Sequence, residues 1–348
     1  MPAGDAPATM AELRTDFLEK LKDITGNTAM NDIALRFLNT ALQDMHNEDW
    51  WWAERPAFLR TVAPYSTGTI DIAVTSLTTR RTVTGTSTAW NTTNSFDVAN
   101  AVAGDKMRLG GSNDAHEITT VGSATSITLS TDTPYTGTSA LDDASYEIYR
   151  DEYAPASGFQ RPAPIDIRFF DEDRTIRLLG SHEFNRLSPR NTKPSKPLYA
   201  TVIERGPSGS VSLRPRIVLG PPPDAARTYL YRFYTTDLAV STTGTVAANL
   251  SDPTDQPIVP LAYRRAIVFK ALENWYGSRQ VNTALAAQWK GAYDELMLRA
   301  RARTGQAEPR PRLQADVSSY WQHRARRGGV RWGATRYDGG TAFDQLRY

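Results

Sequence analysis

The chain has 348 residues, of which 40% are hydrophobic, and a formal net charge of +2. This length and apolar content predict about two or three folded domains and exclude a wholly disordered chain. The lack of cysteine excludes disulfides, thiolate catalysis and cysteine-based metal sites. No apolar run of about 18 residues and no secretory leader is present, so we expect no membrane span and a cytosolic location.

The charge is distributed unevenly along the sequence. Residues 304–348 contain eight arginines and four acidic residues, and the rest of the chain carries a small excess of acid. The basic character therefore lies in the C-terminal segment.

Two amphipathic helices are predicted near the N-terminus. Residues 9–12 have the spacing of a capping box and begin a helix that Gly26 ends. A second helix is predicted from about Thr28 to His46. Their apolar faces consist of Leu13, Phe17, Leu21 and Ile24 in the first helix and Phe37, Leu38, Ala41, Leu42 and Met45 in the second.

A pair of helices is predicted near the C-terminus. Pro257 and Pro260 are placed in its first turn, Gly277 ends its first helix, and Asn282 or Thr283 caps its second. Two helices from each end of the chain predict an antiparallel four-helix bundle. The apolar faces of this pair are Leu261, Val268, Ala271, Leu272 and Trp275, and Leu285, Trp289, Ala292, Tyr293, Leu296 and Ala300.

Between the helices the composition changes to β-branched and turn-forming residues. Short alternating runs predict a small antiparallel barrel or sandwich inserted over residues 69–150. A second antiparallel region follows, with a hairpin turn at residues 171–174. Residues 241–257 are predicted to be a polar linker.

The predicted fold class is α+β, organised around the four-helix bundle. In chain order, its parts are the N-terminal helices of the bundle (9–62), the inserted β domain (69–150), the β region (151–240), the C-terminal helical hairpin (257–303) and an extended tail (304–348).

Three adjacent tryptophans, Trp50, Trp51 and Trp52, follow the second predicted helix. They cannot all face one side of a helix, so at least one is expected to pack in the core or to lie at a subunit contact. Core packing at a domain junction is the plainer interpretation, and an interface anchor is the functional one.

Catalytic motifs are few. The four histidines lie far apart without the spacing of a zinc site, so we expect no metal and no cofactor. Residues 206–210 lack the last glycine of a nucleophile elbow, and residues 110–112 lack the lysine of a phosphate loop. The acidic clusters at 142–143 and 171–173 lack calcium-loop spacing and fit solvated turns. The sequence predicts no enzyme.

The C-terminal tail interleaves arginines with aromatic residues. This composition suits nucleic acid, and it also suits an acidic, apolar groove on a protein. The protein groove is favoured because the acidic residues of the tail would face phosphate. The predicted contact residues are Tyr320, Trp321, Arg324, Arg326, Arg327, Arg331, Trp332, Arg336, Tyr337, Phe343 and Tyr348.

Three motifs follow the Trp-rich junction in chain order: LGPPPD at 219–224, YLYRFY at 229–234 and PIVPLAY at 257–263. With the two N-terminal helices before them and the helical pair after them, this order of parts resembles that of the head-to-tail adaptor (connector) proteins of tailed bacteriophages. The resemblance covers roughly residues 9–75 and 155–303. A Thr- and Gly-rich segment that includes residues 102–111 resembles the small β domain inserted in some longer members.

This resemblance implies a virion protein at the head–tail interface that is assembled in the host cytoplasm. Such proteins form a homo-oligomeric ring, usually a dodecamer, under the portal protein and present a platform to the tail nozzle or tail tube. Genomic DNA passes through the lumen without sequence-specific binding. In several members an extended C-terminal segment docks on the portal, which agrees with the composition of residues 304–348.

An alternative of another class is a tail-associated protein that binds or degrades carbohydrate or peptidoglycan. It would use Trp90, Tyr135 and Tyr146 of the β insertion as a sugar-stacking platform, although isolated aromatics in a β domain are more often core residues. A DNA-binding protein is a third class, and its affinity would depend steeply on salt through the tail arginines.

Overall fold

The computed structural model describes most of the chain before residue 304. The described chain divides into two compact units, one drawn from residues 6–42 and 260–303 and the other from residues 43–259. The described residues are 6–21, 28–94, 97–110, 112–164, 166–170, 172, 174–188, 192–205, 214–279 and 282–303.

Five α-helices lie in the described residues. The second of them has the bounds predicted from the sequence, so that prediction is confirmed. The helices are α1 (Met10–Lys20), α2 (Thr28–His46), α3 (Ser181–Leu187), α4 (Arg265–Ser278) and α5 (Thr283–Arg303).

The β-strands outnumber the helices and form an eight-stranded, a seven-stranded and a three-stranded sheet within the described residues. The strands are β1 (Glu54–Arg60), β2 (Thr69–Ile72), β3 (Thr82–Thr86), β4 (Lys106–Leu109), β5 (Ala115–Ser123), β6 (Ser126–Leu129), β7 (Leu141–Ala144), β8 (Tyr146–Tyr149), β9 (Glu152–Tyr153), β10 (Phe159–Pro162), β11 (Ile167–Phe169), β12 (Thr175–Leu178), β13 (Tyr199–Arg205), β14 (Arg214–Gly220), β15 (Thr228–Thr235), β16 (Ala239–Val240), β17 (Val246–Ala247) and β18 (Gln256–Pro257).

The predicted α+β class, with an antiparallel four-helix bundle as its organising element, is wrong. The described chain is mostly β, with three sheets against five helices. The helical periodicity located real helices. Each short strand contributes few apolar residues, so the sequence pattern underestimates how much of the chain is β-sheet. The two larger sheets each enclose a hydrophobic core of their own.

The helices of the first unit are joined by large aromatic side chains. Phe17 of α1, Phe37 of α2 and Trp275 of α4 form a cluster with ring centroids 5.3 to 6.5 Å apart. Phe269 of α4 stacks on Trp289 of α5 at 5.5 Å. Four of these five rings belong to the apolar faces predicted from the sequence, and Phe269 was not assigned to one.

The capping box at the start of α1 is present. The hydroxyl of Thr9 accepts a hydrogen bond from the Glu12 amide at 3.4 Å. The Glu12 carboxylate accepts one in return from the Ala8 amide at 2.6 Å, one residue earlier than in the standard motif. Both acceptors therefore satisfy backbone amides at the entry to the helix.

The first C-terminal helix begins later than predicted. Pro257 lies in β18, and Pro260 precedes a 3₁₀ turn at Leu261–Tyr263, so α4 begins at Arg265. Gly277 lies inside the last turn of α4 instead of after it. The prolines lock their own φ angles, and here they fit a strand and a 3₁₀ turn.

Asn282 caps α5, as the sequence predicts. Its side-chain oxygen accepts a hydrogen bond from the Leu285 amide at 3.2 Å. This bond satisfies one of the free amides in the first turn of the helix.

The polar linker predicted at residues 241–257 is a small sheet instead. Strand β16 pairs with β17 and with β18, both antiparallel. The Asp255 carboxylate accepts hydrogen bonds from the amides of Ser251 and Asp252 at 2.8 and 2.7 Å, and the Asp252 bond is the largest cause that lowers the pKa of Asp255. The polar residues therefore organise turns, which the composition alone does not distinguish from a linker.

The eight-stranded sheet has the order β1-β15-β11-β12-β13-β14-β9, and β10 pairs with β15. Strands β11 and β12, which flank the hairpin turn predicted at residues 171–174, pair antiparallel. Residues 171 and 173 of that turn lie outside the described residues. One face of the sheet packs on a core that includes Leu59, Phe169, Ile176, Tyr229 and Tyr231.

The seven-stranded sheet has the order β7-β2-β3-β6-β5-β4-β8, and its pairs are antiparallel. Its strands lie within residues 69–150, where the sequence predicts an inserted antiparallel β domain. Trp90, Met107, Ile118 and Ile127 are fully buried in its core.

Candidate interaction surface

The predicted portal-contact residues lie outside the described part of the chain. This holds for the whole set from Tyr320 to Tyr348, including Trp321 and Trp332. Their role stays a prediction from composition and from the family resemblance.

The three adjacent tryptophans separate into a buried pair and an exposed ring. Trp50 and Trp52 are 1% and 5% exposed, and their rings stack with centroids 4.4 Å apart. Trp51 is 46% exposed and packs edge to face on Trp52 at 5.7 Å. Trp51 is therefore the member of the trio that presents a large aromatic surface to solvent.

The proposed sugar-stacking platform is not formed by the described chain. Trp90 is 0% and Tyr146 is 4% exposed, and the Trp90 indole donates a hydrogen bond to the Tyr146 hydroxyl at 3.0 Å. Tyr135 is half-buried, and its hydroxyl donates to the Ser139 carbonyl. The core interpretation of Trp90 and Tyr146 is correct, so these rings cannot stack on a sugar.

A buried ion pair lies at the end of the seven-stranded sheet. Arg150 donates from Nε and Nη2 to the two carboxylate oxygens of Asp105 at 2.6 and 2.8 Å. Burial raises the pKa of Asp105, and the Arg150 hydrogen bonds and charge oppose that shift. Burial acts to lower the pKa of Arg150. The hydrogen bonds to Asp105 and its negative charge outweigh burial, so the pKa of Arg150 is raised. The geometry keeps both groups charged.

A second charge network connects the two larger sheets. Arg205 of β13 pairs with Glu152 of β9 and with Glu117 of β5. Lys106 of β4 lies 2.5 Å from Asp151 and 3.8 Å from Glu152. Burial raises the pKa of Glu152, against the opposing charges of Lys106 and Arg205. Because each carboxylate faces a cation, the network fixes one sheet against the other and does not resemble an acid–base site.

The described residues offer little for small-molecule or metal binding. An open groove of about 390 Å³ beside α1 is lined by Glu12, Asp16, Glu19 and Arg265, among others. Among the described residues, no group of three or more His, Asp or Glu side chains is placed to hold a metal ion. The part of the chain that the structure describes also has no helix long and apolar enough to cross a membrane.

The outer face of the eight-stranded sheet is aromatic and basic. On β1, buried Ala57 and Leu59 alternate with exposed Phe58 and Arg60, so Phe58 and Arg60 point away from the core. On β11 the exposed residue is Arg168. We call this surface the Phe–Arg face and define it by Phe58, Arg60, Arg168, Phe170, Arg177 and Leu230.

Strand register brings the members of the Phe–Arg face together. Leu230 of β15 is paired with Phe58 on one side and with Arg168 on the other. The Phe170 amide donates to the Thr228 carbonyl at 3.1 Å, which continues β11 along β15. The rings of Phe58 and Phe170 pack edge to face with centroids 5.7 Å apart.

The two phenylalanines of this face are strongly exposed, Phe58 by 58% and Phe170 by 67%. Arg60, Arg168 and Arg177 are also exposed and form no ion pair within the described residues. Exposed aromatic side chains beside arginines are the composition that protein interfaces favour.

No protein-family model matches the chain, and no curated protein matches it. Sequence reasoning missed the Phe–Arg face, although one signal was present: adjacent phenylalanines in a strand, Phe169 and Phe170, must point to opposite faces.

Proposed function

We propose that this chain is a structural virion protein, a head-to-tail adaptor that forms a ring under the portal protein and connects the capsid to the tail. The observation that carries the proposal is the Phe–Arg face. Phe58 and Phe170 are more than half exposed beside arginines that form no ion pair within the described residues. An exposed surface of this composition fits an assembly protein that binds through surfaces.

The resemblance supplies the partners in this proposal. The chain forms a homo-oligomeric ring, a dodecamer, whose residues 304–348 dock on the portal protein. The other side of the ring presents a platform to the tail nozzle or tail tube, and genomic DNA passes through the lumen without sequence-specific contacts. The protein reaches this head–tail position in the virion after assembly in the host cytoplasm, and it acts without a cofactor and without catalysis.

Deletion of residues 304–348 is the direct test of portal docking. The deleted segment carries the basic and aromatic residues that would contact the portal, so the truncated protein should fail to bind portal rings. Electron microscopy of protein mixed with portal rings measures the attachment, and circular dichroism shows whether the truncated chain is folded. Normal attachment of the truncated protein would refute the docking role.

Within the segment, Trp321 and Trp332 should contribute most. Truncation of a buried aromatic anchor costs about 2 kcal/mol or more, so replacing both by alanine should weaken portal affinity by at least about thirtyfold. Alanine at Gln314 and Gln322 is the matched control, because these polar side chains lie in the same segment. If the double tryptophan variant binds like the control, the anchors lie elsewhere. Binding to peptidoglycan fragments without portal attachment would favour the carbohydrate-binding alternative.

A further inference from the structure

The Phe–Arg face has the chemistry of a buried contact but is solvent-exposed in a single copy. Phe58 and Phe170 would leave water on association, and burial of apolar surface stabilises a contact by about 25 cal/mol per Å². Arg60, Arg168 and Arg177 would then face the partner. The partner must therefore be acidic, because a buried arginine without a counter-charge is strongly destabilising.

The chain's own C-terminal segment does not fit as the occupant. Residues 304–348 contain eight arginines against four acidic residues, so their net charge has the same sign as that of the face. Like charges across a contact oppose binding.

Symmetric contact between two Phe–Arg faces is excluded by the same argument. A two-fold contact places the same patch on both subunits, so arginines would meet arginines. Contact between copies must then be heterologous, with the Phe–Arg face of one copy against a different, acidic surface of the next. Heterologous contacts generate rings when the rotation closes.

The second unit carries a matching acidic surface at the edge of its seven-stranded sheet. Asp142 and Asp143 are adjacent and exposed on β7, which is the first strand in the sheet order. Neither carboxylate forms an ion pair within the described residues. In the adjacent acidic pairs Asp151–Glu152 and Asp294–Glu295, at least one carboxylate is paired with a cation.

We propose that the Phe–Arg face of one copy binds the Asp142–Asp143 edge of a second copy of this chain. The arginines supply the positive charge, the aspartates supply the negative charge, and Phe58 and Phe170 leave water on contact. This inference rests on the proposed ring, and it assigns the surfaces through which neighbouring subunits meet.

Nucleic acid is the competing occupant of a basic, aromatic sheet face. Its bases need ring faces on which to stack. Here the rings of Phe58 and Phe170 pack against each other at an interplanar angle of 77°. Leu230 of the neighbouring strand β15 is paired with Phe58 and lies beside it. The geometry therefore favours apolar protein side chains over stacked bases.

Cysteine cross-linking tests the contact directly, because the natural chain has no cysteine. One full-length variant carries Thr175→Cys, an exposed residue paired with Arg168 on the face. The other carries Ala140→Cys, the exposed residue before β7. A short bismaleimide should cross-link copies in the mixture of the two variants and not in either variant alone.

Each outcome of the cross-linking experiment decides the proposal. A dimer from Thr175→Cys alone would show a symmetric contact and overturn it. In a control mixture, Asn91→Cys, an exposed residue of the same unit, replaces Ala140→Cys. If this mixture cross-links as strongly as the mixture of Thr175→Cys and Ala140→Cys, the cross-links come from random collision and the proposal is overturned. A protein that remains uncross-linked at millimolar concentration, or a face that retains a dT20 oligonucleotide instead, would also overturn it.

Charge reversal supplies a second test that does not depend on cross-linker reach. The face-reversed variant is Arg60→Glu, Arg168→Glu and Arg177→Glu; the edge-reversed variant is Asp142→Lys and Asp143→Asn. Asparagine is chosen at position 143 because Asp143 has a φ of 47°, which asparagine tolerates. Each variant alone should lose self-association, measured by sedimentation velocity, and an equimolar mixture should regain it.

The mixture regains association because each variant complements the other. The acidic face of the face-reversed variant meets the basic edge of the edge-reversed variant. The natural face of the edge-reversed variant meets the natural edge of the face-reversed variant. Asp132→Lys, an exposed acid outside both surfaces, is the control and should behave like the natural chain. If the variants still form rings, the contact is wrong but the adaptor function stands. If rings depend on these surfaces but never attach to portals, the adaptor function fails instead.

Discussion

Trp51 and Trp52 are neighbours in sequence, but the chain exposes one ring and buries the other. Trp52→Ala should lower the free energy of unfolding by about 3 to 5 kcal/mol, because it removes a buried ring that stacks on Trp50. Trp51→Ala should cost less than about 1 kcal/mol, because that ring is 46% exposed. Urea denaturation of the two variants measures the difference.

The same pair distinguishes a folding role from an interface role. Trp51→Ala should reduce self-association without a change in fold, whereas Trp52→Ala should weaken both in parallel. Sedimentation velocity, run under conditions in which both variants are folded, gives the comparison. Equal loss of stability in the two variants would contradict the assignment of Trp51 to the surface.

At the scale of residues, the sequence predicts some placements and not others. The spacing of Thr9 and Glu12 was sufficient for the cap of α1, since both partners are local. The split of the tryptophan trio was not predictable, because burial of each ring depends on residues far away in sequence. Phe58 belongs to a strand whose alternation is visible, but nothing in its neighbours shows that the outer face is left uncovered.

Asp105 and Arg150 connect β4 to the chain that follows β8, and their pairing is an element-scale feature. Arg150→Met leaves the Asp105 carboxylate buried without its counter-charge and should lower the free energy of unfolding by about 3 to 5 kcal/mol. The double variant Asp105→Asn with Arg150→Met is the control and should recover much of this loss, since no buried charge is left. Thermal unfolding checks both.

The loss in Arg150→Met should depend on pH. Burial raises the pKa of Asp105, and removal of Arg150 removes the opposing contribution, so the native state holds a proton that the unfolded state releases above about pH 3.9. Stability must then fall as the pH rises, and the deficit should be larger at about pH 8 than at about pH 5. A deficit independent of pH would mean that removal of Arg150 leaves the pKa of Asp105 in the native state unchanged.

At the scale of elements, the local sequence pattern located most helices and strands. It did not show that the sheets, and not the helices, make up most of the described chain. α2 was predicted with its bounds, and the hairpin of β11 and β12 followed from its turn. The sheet of β16, β17 and β18 was missed because strands of two residues have no periodicity. The four-helix bundle failed because periodicity shows that a helix has an apolar face and not which element covers it.

Across the whole molecule, charge and exposure are divided between two kinds of contact. The basic segment 304–348 carries the proposed portal contact, and the Phe–Arg face with the Asp142–Asp143 edge carries the proposed contact between copies. The two contacts share no residue. We expect their energies to be nearly additive, as they are for sites without shared partners.

Additivity makes a final prediction for two variants and their combination. The chain without residues 304–348 should still self-associate but should not bind portal rings. The face-reversed variant should bind portals as separate copies without forming a closed ring, because its segment is intact and its contact between copies is repelled. The combined variant should do neither. Mass photometry of each protein and electron microscopy of each portal mixture measure these three cases. Loss of self-association in the truncated chain would show that one segment serves both contacts.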